Sequence, residues 1–427
     1  MSHGERTYDL LLFGATGFVG QLTAQHLAEH APPGVRIALA GRSSAKLETV
    51  RSSLGARAQS WDLLVADAAD TDRLAELAAA TKVVVTTVGP YAKFGMPLVA
   101  ACAAAGTHYA DLTGEVLFVR RSADAFHEEA LRSGAKIVHA CGFDSIPSDL
   151  GVLLTAQRAR ADGAGELGHT VLYVRRLRGG FSGGTIDSMR TQAIEMRASA
   201  ADRTIVADPY GLSPDRGKEP ARAQRKPKAK SPLDVAKGLV RNLPVRRSAD
   251  GHWTGPFVMA AFNTRIVRRS NALLDYAYGR GFRYQEVMDF GTSAKAPAVA
   301  TAATAGLLGV AGGMQLAPTR ALLDRVLPKP GEGPSEEDQR RGSFRMEIET
   351  TTSTGARYRT TVAANADPGY SGTAIMLGQA GLCLALDVLP DRAGVLTPAV
   401  AMGDVLAQRL REQGFTLDSE RVTGDPG

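Results

Sequence analysis

The chain is poor in cysteine: Cys102, Cys141 and Cys383 are spread over 427 positions with no CxxC pair among them. That scarcity argues against a disulfide framework or a cysteine-built zinc site, and it fits a reducing cytosol. No HExxH occurs either, so no metal is expected at a catalytic centre. No apolar run of signal-peptide length precedes the first expected strand, and secretion is not expected. Aromatic residues are few, at 6%, yet 44% hydrophobic and 22% charged residues are proportions of a folded protein long enough for two domains.

Acidic charge is missing from one region. Between Arg216 and Arg247 eleven Lys and Arg stand against Glu219 and Asp234, a surplus of nine where the whole chain carries +6. The body is therefore about −3 and lacks the positive field of a nucleic-acid binder, so no nucleic-acid partner is expected. Residues 211–247 read as a basic surface loop. Residues 296–319 hold no charge and are long enough to reach across a bilayer. Their Ala, Gly and Thr make the hydropathy weak, so a buried or interfacial helix is expected over a span.

What is present is a regular alternation. Tyr8–Phe13, Arg36–Ala40, Leu63–Ala66, Lys82–Val88, His108–Leu112 and Ala135–Ala140 read as strands separated by helical stretches. Such βαβα order predicts an α/β fold: a doubly wound parallel sheet in residues 1–147. From about Ser148 the pattern becomes that of a second α+β domain, residues 148–368, on a mainly antiparallel sheet. Its expected strands are Val171–Arg178, Arg265–Arg268, Ser343–Thr352 and Ala356–Ala364, the last two joined by a turn at Ser353–Gly355. Residues 369–427 read as two helices, Ser371–Leu389 and Pro398–Gln413, that fold back on the first domain.

The sharpest motif is Gly14-Ala15-Thr16-Gly17-Phe18-Val19-Gly20, between the first strand and the first helix. One glycine permits the tight turn, a second lets a pyrophosphate approach the backbone, and a third allows close helix–strand packing. The helix amides then face the phosphates along the favourable end of the dipole. At the end of the second strand, where an acid would bond the ribose of NAD, stand Arg42 and Ser43, with Lys46 a turn later. A guanidinium and a hydroxyl suit a 2′-phosphate, which makes NADPH the expected cofactor. Asp67 is placed for the adenine edge or for a cap, and Gly89 and Pro90 for the nicotinamide ribose.

The loops beyond the strand ends hold the candidates for chemistry: Tyr91, Tyr109 and Asp144, with Asp111 nearby. Asp111 and Asp144 could equally cap helices, and Tyr91 could pack. Cys141 reads as a small buried residue rather than a nucleophile. No Tyr is followed four residues later by Lys, so the short-chain dehydrogenase pair is missing. Hydride delivery to an activated double bond asks least of such a set: a positioned cofactor, a polarised acceptor and one proton donor.

The stretches GATGFVG (14–20), AGR (40–42), TVGPYAKFGMPLVAAC (87–102), HYADLTGE (108–115) and CGFDSIPSDLG (141–151) resemble the saccharopine dehydrogenase-like oxidoreductases, in particular their trans-acting enoyl reductase branch. GYSGTAIMLGQAGLCLA (369–385) is a weaker match. The resemblance implies an NADP-binding Rossmann domain and reduction of an unsaturated acyl chain, as a small molecule or on a carrier, in lipid or glycolipid synthesis. Two alternatives remain open. One is an amino-acid dehydrogenase of the saccharopine type, with a polar, Arg-lined pocket; the other is a non-catalytic, membrane-associated dinucleotide-binding protein. The basic and apolar segments would suit contact with an acidic carrier protein or the plasma membrane surface, and an antiparallel second sheet would suit a homodimer. The expected location is the cytoplasm, with or without peripheral membrane contact.

Overall fold

The structure, a computed structural model, describes residues 6–179, 187–188, 190–191, 194–195, 198–220, 244–248, 250–313, 337 and 341–423. Two seven-stranded sheets organise it. The first is parallel throughout, in the order β13-β6-β5-β4-β1-β2-β3. Its strands are β1 (Tyr8–Phe13), β2 (Ile37–Gly41), β3 (Asp62–Val65), β4 (Thr81–Thr86), β5 (His108–Ala110), β6 (Lys136–Val138) and β13 (Gly394–Leu396). The helices between them are α1 (Phe18–His30), α2 (Ser44–Ser53), α3 (Thr71–Ala80), α4 (Tyr91–Ala105) and α5 (Val116–Ser133).

The uninterrupted apolar runs follow from burial on both faces. Leu10 and Leu12 of β1, with Val83 and Val85 of β4, point into one core, while Leu11, Phe13 and Val84 point into another. The first core does not stop at the domain edge. It continues through α6 (Ile146–Ala161) to Leu172, Val174, Met346, Ile348 and Val362 on the inner face of the second sheet.

That second sheet has the order β14-β12-β11-β7-β10-β9-β8 and is antiparallel except where β10 runs parallel to β7. Its strands are β7 (Leu167–Arg178), β8 (Arg246–Arg247), β9 (Trp253–Pro256), β10 (Arg283–Asp289), β11 (Ser343–Thr352), β12 (Arg357–Ala364) and β14 (Thr416–Arg421). β11 and β12 form the expected hairpin. The stretch Arg265–Arg268 is not a strand. It lies within a helix, Ala260–Leu273, because Phe262, Ile266 and Ser270 recur at helical spacing and are buried together.

The C-terminal part does more than fold back. Helix Ser371–Leu386 lies on α1, β1 and β4, and a side chain at Gly381 would stand 2.6 Å from Val85. The second expected helix is two, Pro398–Ala401 and Gly403–Glu412. Strands β13 and β14, not anticipated, join the first and second sheets respectively.

Helix Ala296–Gly313 buries only Ala296, Ala300 and Thr304 in its described part, so it is a surface helix packed on β9. Among the described residues no helix is long and apolar enough to cross a membrane. Most of the basic run 211–247, and residues 314–319 of the apolar one, lie outside the described residues.

Candidate cofactor and active site

The turn after β1 is built by its glycines. Gly14 has φ +94°, in the left-handed region, and its carbonyl accepts from Gly17 N (3.0 Å) and Thr87 Oγ1 (3.0 Å). A Cβ at Gly20 would lie 2.1 Å from Gly14 O, so only glycine lets α1 sit this close to the strand. The first helical bond runs from Gln21 N to Gly17 O (2.8 Å). No bond among the described residues engages the N–H groups of Phe18, Val19 or Gly20, and Gly17 provides no side-chain cap. This is a short cradle of free amides at the positive end of a helix, a fit to a pyrophosphate.

Arg42 follows β2 on the same edge. It is exposed and makes no ion pair or hydrogen bond among the described residues. Ser43 has a local task as well: it caps α2, its Oγ accepting from Lys46 N (3.4 Å). Lys46 is exposed beside it. Asp67 holds its own turn through Ala69 N (2.9 Å), while Asp70 caps α3. The arrangement around Arg42 and the α2 N-terminus can take a 2′-phosphate. Gly89 and the buried Pro90 lead directly into α4.

Of the three residues expected to handle protons, two are closed off. Tyr91 is 5% exposed; its hydroxyl donates to Thr86 O (3.1 Å) and accepts from Leu112 N (3.2 Å). Tyr109 is fully buried and donates to Asp111 Oδ2 (3.0 Å). Burial pushes both phenols well above their ordinary range. Both hold loops together instead of facing a substrate.

Asp111 caps no helix. One carboxylate oxygen accepts from Thr113 N and Ala140 N (both 3.0 Å), the other from Tyr109 and from His139 Nδ1 (2.7 Å). His139 also bonds Ser122 (2.8 Å). This buried network pins Ala140 at φ +63° and so aims the loop 141–145. Cys141 is buried, and burial raises its thiol pKa well above normal, as befits a packing residue.

Asp144 differs. It is partly exposed and makes no hydrogen bond among the described residues, and its Oδ2 lies 3.3 Å from where a side chain on Gly114 would begin. The surrounding protein disfavours its charge and raises its pKa to about 7.

Three participants escaped sequence reasoning. Glu115 precedes α5 but serves α4: its buried carboxylate accepts from Tyr91 N (2.9 Å), Ala92 N (2.7 Å) and Ser188 Oγ (2.7 Å). Burial nonetheless raises its pKa. Tyr370, at the start of helix 371–386, sets its ring edge-on against Phe18 at 5.1 Å, bringing the C-terminal part to the nucleotide turn. Thr373 Oγ1 accepts from Phe143 N (3.1 Å), next to Asp144. Nothing local in the sequence signals these pairs. A cavity of about 450 Å³ between Pro32, Pro33, Arg57 and Trp61 lies at the opposite edge of the sheet. Among the described residues no cluster of three or more His, Cys, Asp or Glu is placed to hold a metal ion.

A parallel seven-stranded sheet with free amides at its first helix and a guanidinium after its second strand defines an NADP-dependent oxidoreductase. Residues 10–139 match the saccharopine dehydrogenase NADP binding domain. A trans-acting enoyl reductase of Mycobacterium bovis is 49% identical over 433 residues, covering 99% of this chain and 100% of its own. Another from Mycobacterium ulcerans is 48% identical over 440 residues with the same coverage. The apo saccharopine dehydrogenase (L-Glu forming) of Saccharomyces cerevisiae shares the fold, with a TM-score of 0.54 at 14% identity over 97% of this chain and 99% of the other. The chain belongs to the trans-acting enoyl reductase branch of the saccharopine dehydrogenase-like oxidoreductases.

Proposed function

We propose that the protein reduces the activated double bond of an acyl thioester, a lipid or polyketide precursor borne on a carrier protein, and that Asp144 donates the proton. NADPH, when bound, supplies the hydride. The amides of residues 18–20 would hold its pyrophosphate, Arg42 would take its 2′-phosphate, and Gly89 and Pro90 would line its nicotinamide end. Asp144 holds a proton near neutrality and delivers it to the carbon next to the thioester carbonyl. The carrying observation is the state of Asp144: partly exposed, without a hydrogen-bond partner among the described residues, and with its pKa raised to about 7 in the loop that follows β6.

An amino-acid dehydrogenase would need guanidinium groups free to hold substrate carboxylates. Arg265 and Arg269, buried in helix 260–273, instead donate to main-chain carbonyls: Arg265 to Asp208 O, Arg269 to Leu212 O and Val395 O. The exposed uncharged helix 296–313 is the feature with which the protein would meet a membrane surface or a second copy.

The test supplies NADPH and a trans-2-enoyl pantetheine thioester and follows the nicotinamide absorbance. Asp144→Asn is expected to lower kcat about 100-fold with unchanged NADPH affinity. Full activity in that variant removes the proton-donor role, and no oxidation with any enoyl thioester removes the substrate class.

A further inference from the structure

The outer face of the second sheet carries arginines of two kinds. Arg175 is enclosed by acids: Asp289 at 2.8 Å, Glu347 at 3.0 Å, Glu349 at 3.3 Å and Asp250 at 3.7 Å. Next to it a bulge shifts the register, so that Arg345 of β11 stands directly opposite Arg176 of β7. The following pairs set the faces: Phe344 and Leu177 turn to the core, leaving Arg176, Arg178 and Arg345 outward. All three are exposed; Arg345 pairs with Glu347 at 2.8 Å, whereas Arg176 and Arg178 have no ion-pair or hydrogen-bond partner among the described residues. Like charges opposed across a strand pair are unfavourable. Glu347 offsets Arg345, while no acid among the described residues pairs with Arg176.

This corner lies across the sheet from Phe143, at the strand ends nearest the loop that carries Asp144. Phe344, beside Arg345, packs on Phe143 at 4.9 Å, and Phe143 precedes Asp144. Gly179, after Arg178, touches Asp367 and Pro368, which lead into Tyr370 on the nucleotide turn. A cationic corner at the rim of a site attracts an anionic partner and governs its encounter rate more than the chemistry.

We infer that Arg176 and Arg178, beside the ion-paired Arg345, form the docking surface for an acidic carrier protein that presents the acyl chain to Asp144. This inference rests on the carrier-borne substrate proposed above. The partner's acidic surface neutralises Arg176 and Arg178, while its flexible arm reaches around the end of the sheet at Gly179.

The experiment compares the wild type with the double variant Arg176→Glu/Arg178→Glu. Two substrates carry the same trans-2-enoyl group, one on an acyl carrier protein and one on free pantetheine. The variant is expected to raise KM for the carrier-borne substrate at least tenfold, with kcat and the pantetheine reaction unchanged. Added salt should raise the wild-type KM and leave the variant's nearly flat. The Lys/Lys variant should keep most of the wild-type behaviour. Equal losses on both substrates, or none, would overturn the assignment.

Fluorescence anisotropy of a labelled holo-carrier provides a readout independent of turnover. Binding lost in the variant supports the surface even if neither substrate is reduced, a result that would remove only the proposed chemistry. No binding to the wild type overturns it. Binding to phosphatidylglycerol vesicles that the variant alone loses would assign the corner to lipid and also overturn it.

Discussion

Helices α1 and α4 begin at the same edge of the first sheet, after the adjacent strands β1 and β4, and they end their dipoles in opposite ways. At α1 the amides of Phe18, Val19 and Gly20 have no acceptor among the described residues, and the residue before them is glycine. At α4 the first two amides, Tyr91 and Ala92, are both taken by the Glu115 carboxylate. The two ends carry the same partial positive charge. The chain supplies its own anion where none is to be bound, and withholds one where a phosphate belongs. A single carboxylate thus closes one helix end at this edge and leaves the other open.

The comparison can be broken most directly at α1. Gly20→Ala forces a methyl group to 2.1 Å from Gly14 O and should lower NADPH affinity at least 100-fold by calorimetry; an unchanged affinity would refute the cradle. At α4, Glu115→Ala leaves one buried and one half-buried amide without an acceptor and should cost about 1–3 kcal/mol in a denaturant melt. Glu115→Gln, which keeps an acceptor oxygen, should recover part of the loss, and no loss in either variant would make the cap dispensable. Arg42→Ala should shrink the preference for NADPH over NADH about tenfold, measured as the ratio of the two dissociation constants.

The smallest effect concerns a buried carboxyl that faces no helix end. Glu286 accepts from Asn263 and Tyr284, and burial raises its pKa to about 7. The folded protein therefore holds this proton more tightly than the unfolded chain does. Its contribution to stability is lost as pH climbs from the unfolded value of 4.5 to about 7, and is flat above. Glu286→Gln should remove that slope, so the variant's melting temperature should gain on the wild type between pH 5 and pH 8. Parallel curves would count against the shift.

The first sheet was legible because its strands announce themselves locally. Tyr8–Phe13 is buried on both faces, and such a run reads the same from neighbours alone. The nucleotide turn was legible for the same reason, with all its parts within seven residues. Arg265–Arg268 misled because two β-branched residues in a row, Ile266 and Val267, fit either period. Strand β13 is three residues long and takes its identity from β6, far upstream; strand β14 alternates charges that suit an exposed loop equally well. Glu115 could not be read as the cap of α4 because its targets lie before it in the chain and it also stands at the N-cap position of α5. The pairing of Phe18 with Tyr370 depends on packing that no local pattern encodes.

Strand β13 has a consequence for the order in which the molecule is made. More than 250 residues separate Val138, where β6 ends, from Gly394, where its outer neighbour begins. At the usual pace of translation, roughly 5–20 residues per second, that interval lasts on the order of ten seconds or more. Throughout it the nascent nucleotide-binding half has an uncovered strand edge, a surface that invites wrong pairing. A fragment cut at residue 147 would keep that edge permanently. It should therefore aggregate where the full chain does not, so the last thirty or so residues act as a folding safeguard for the first half.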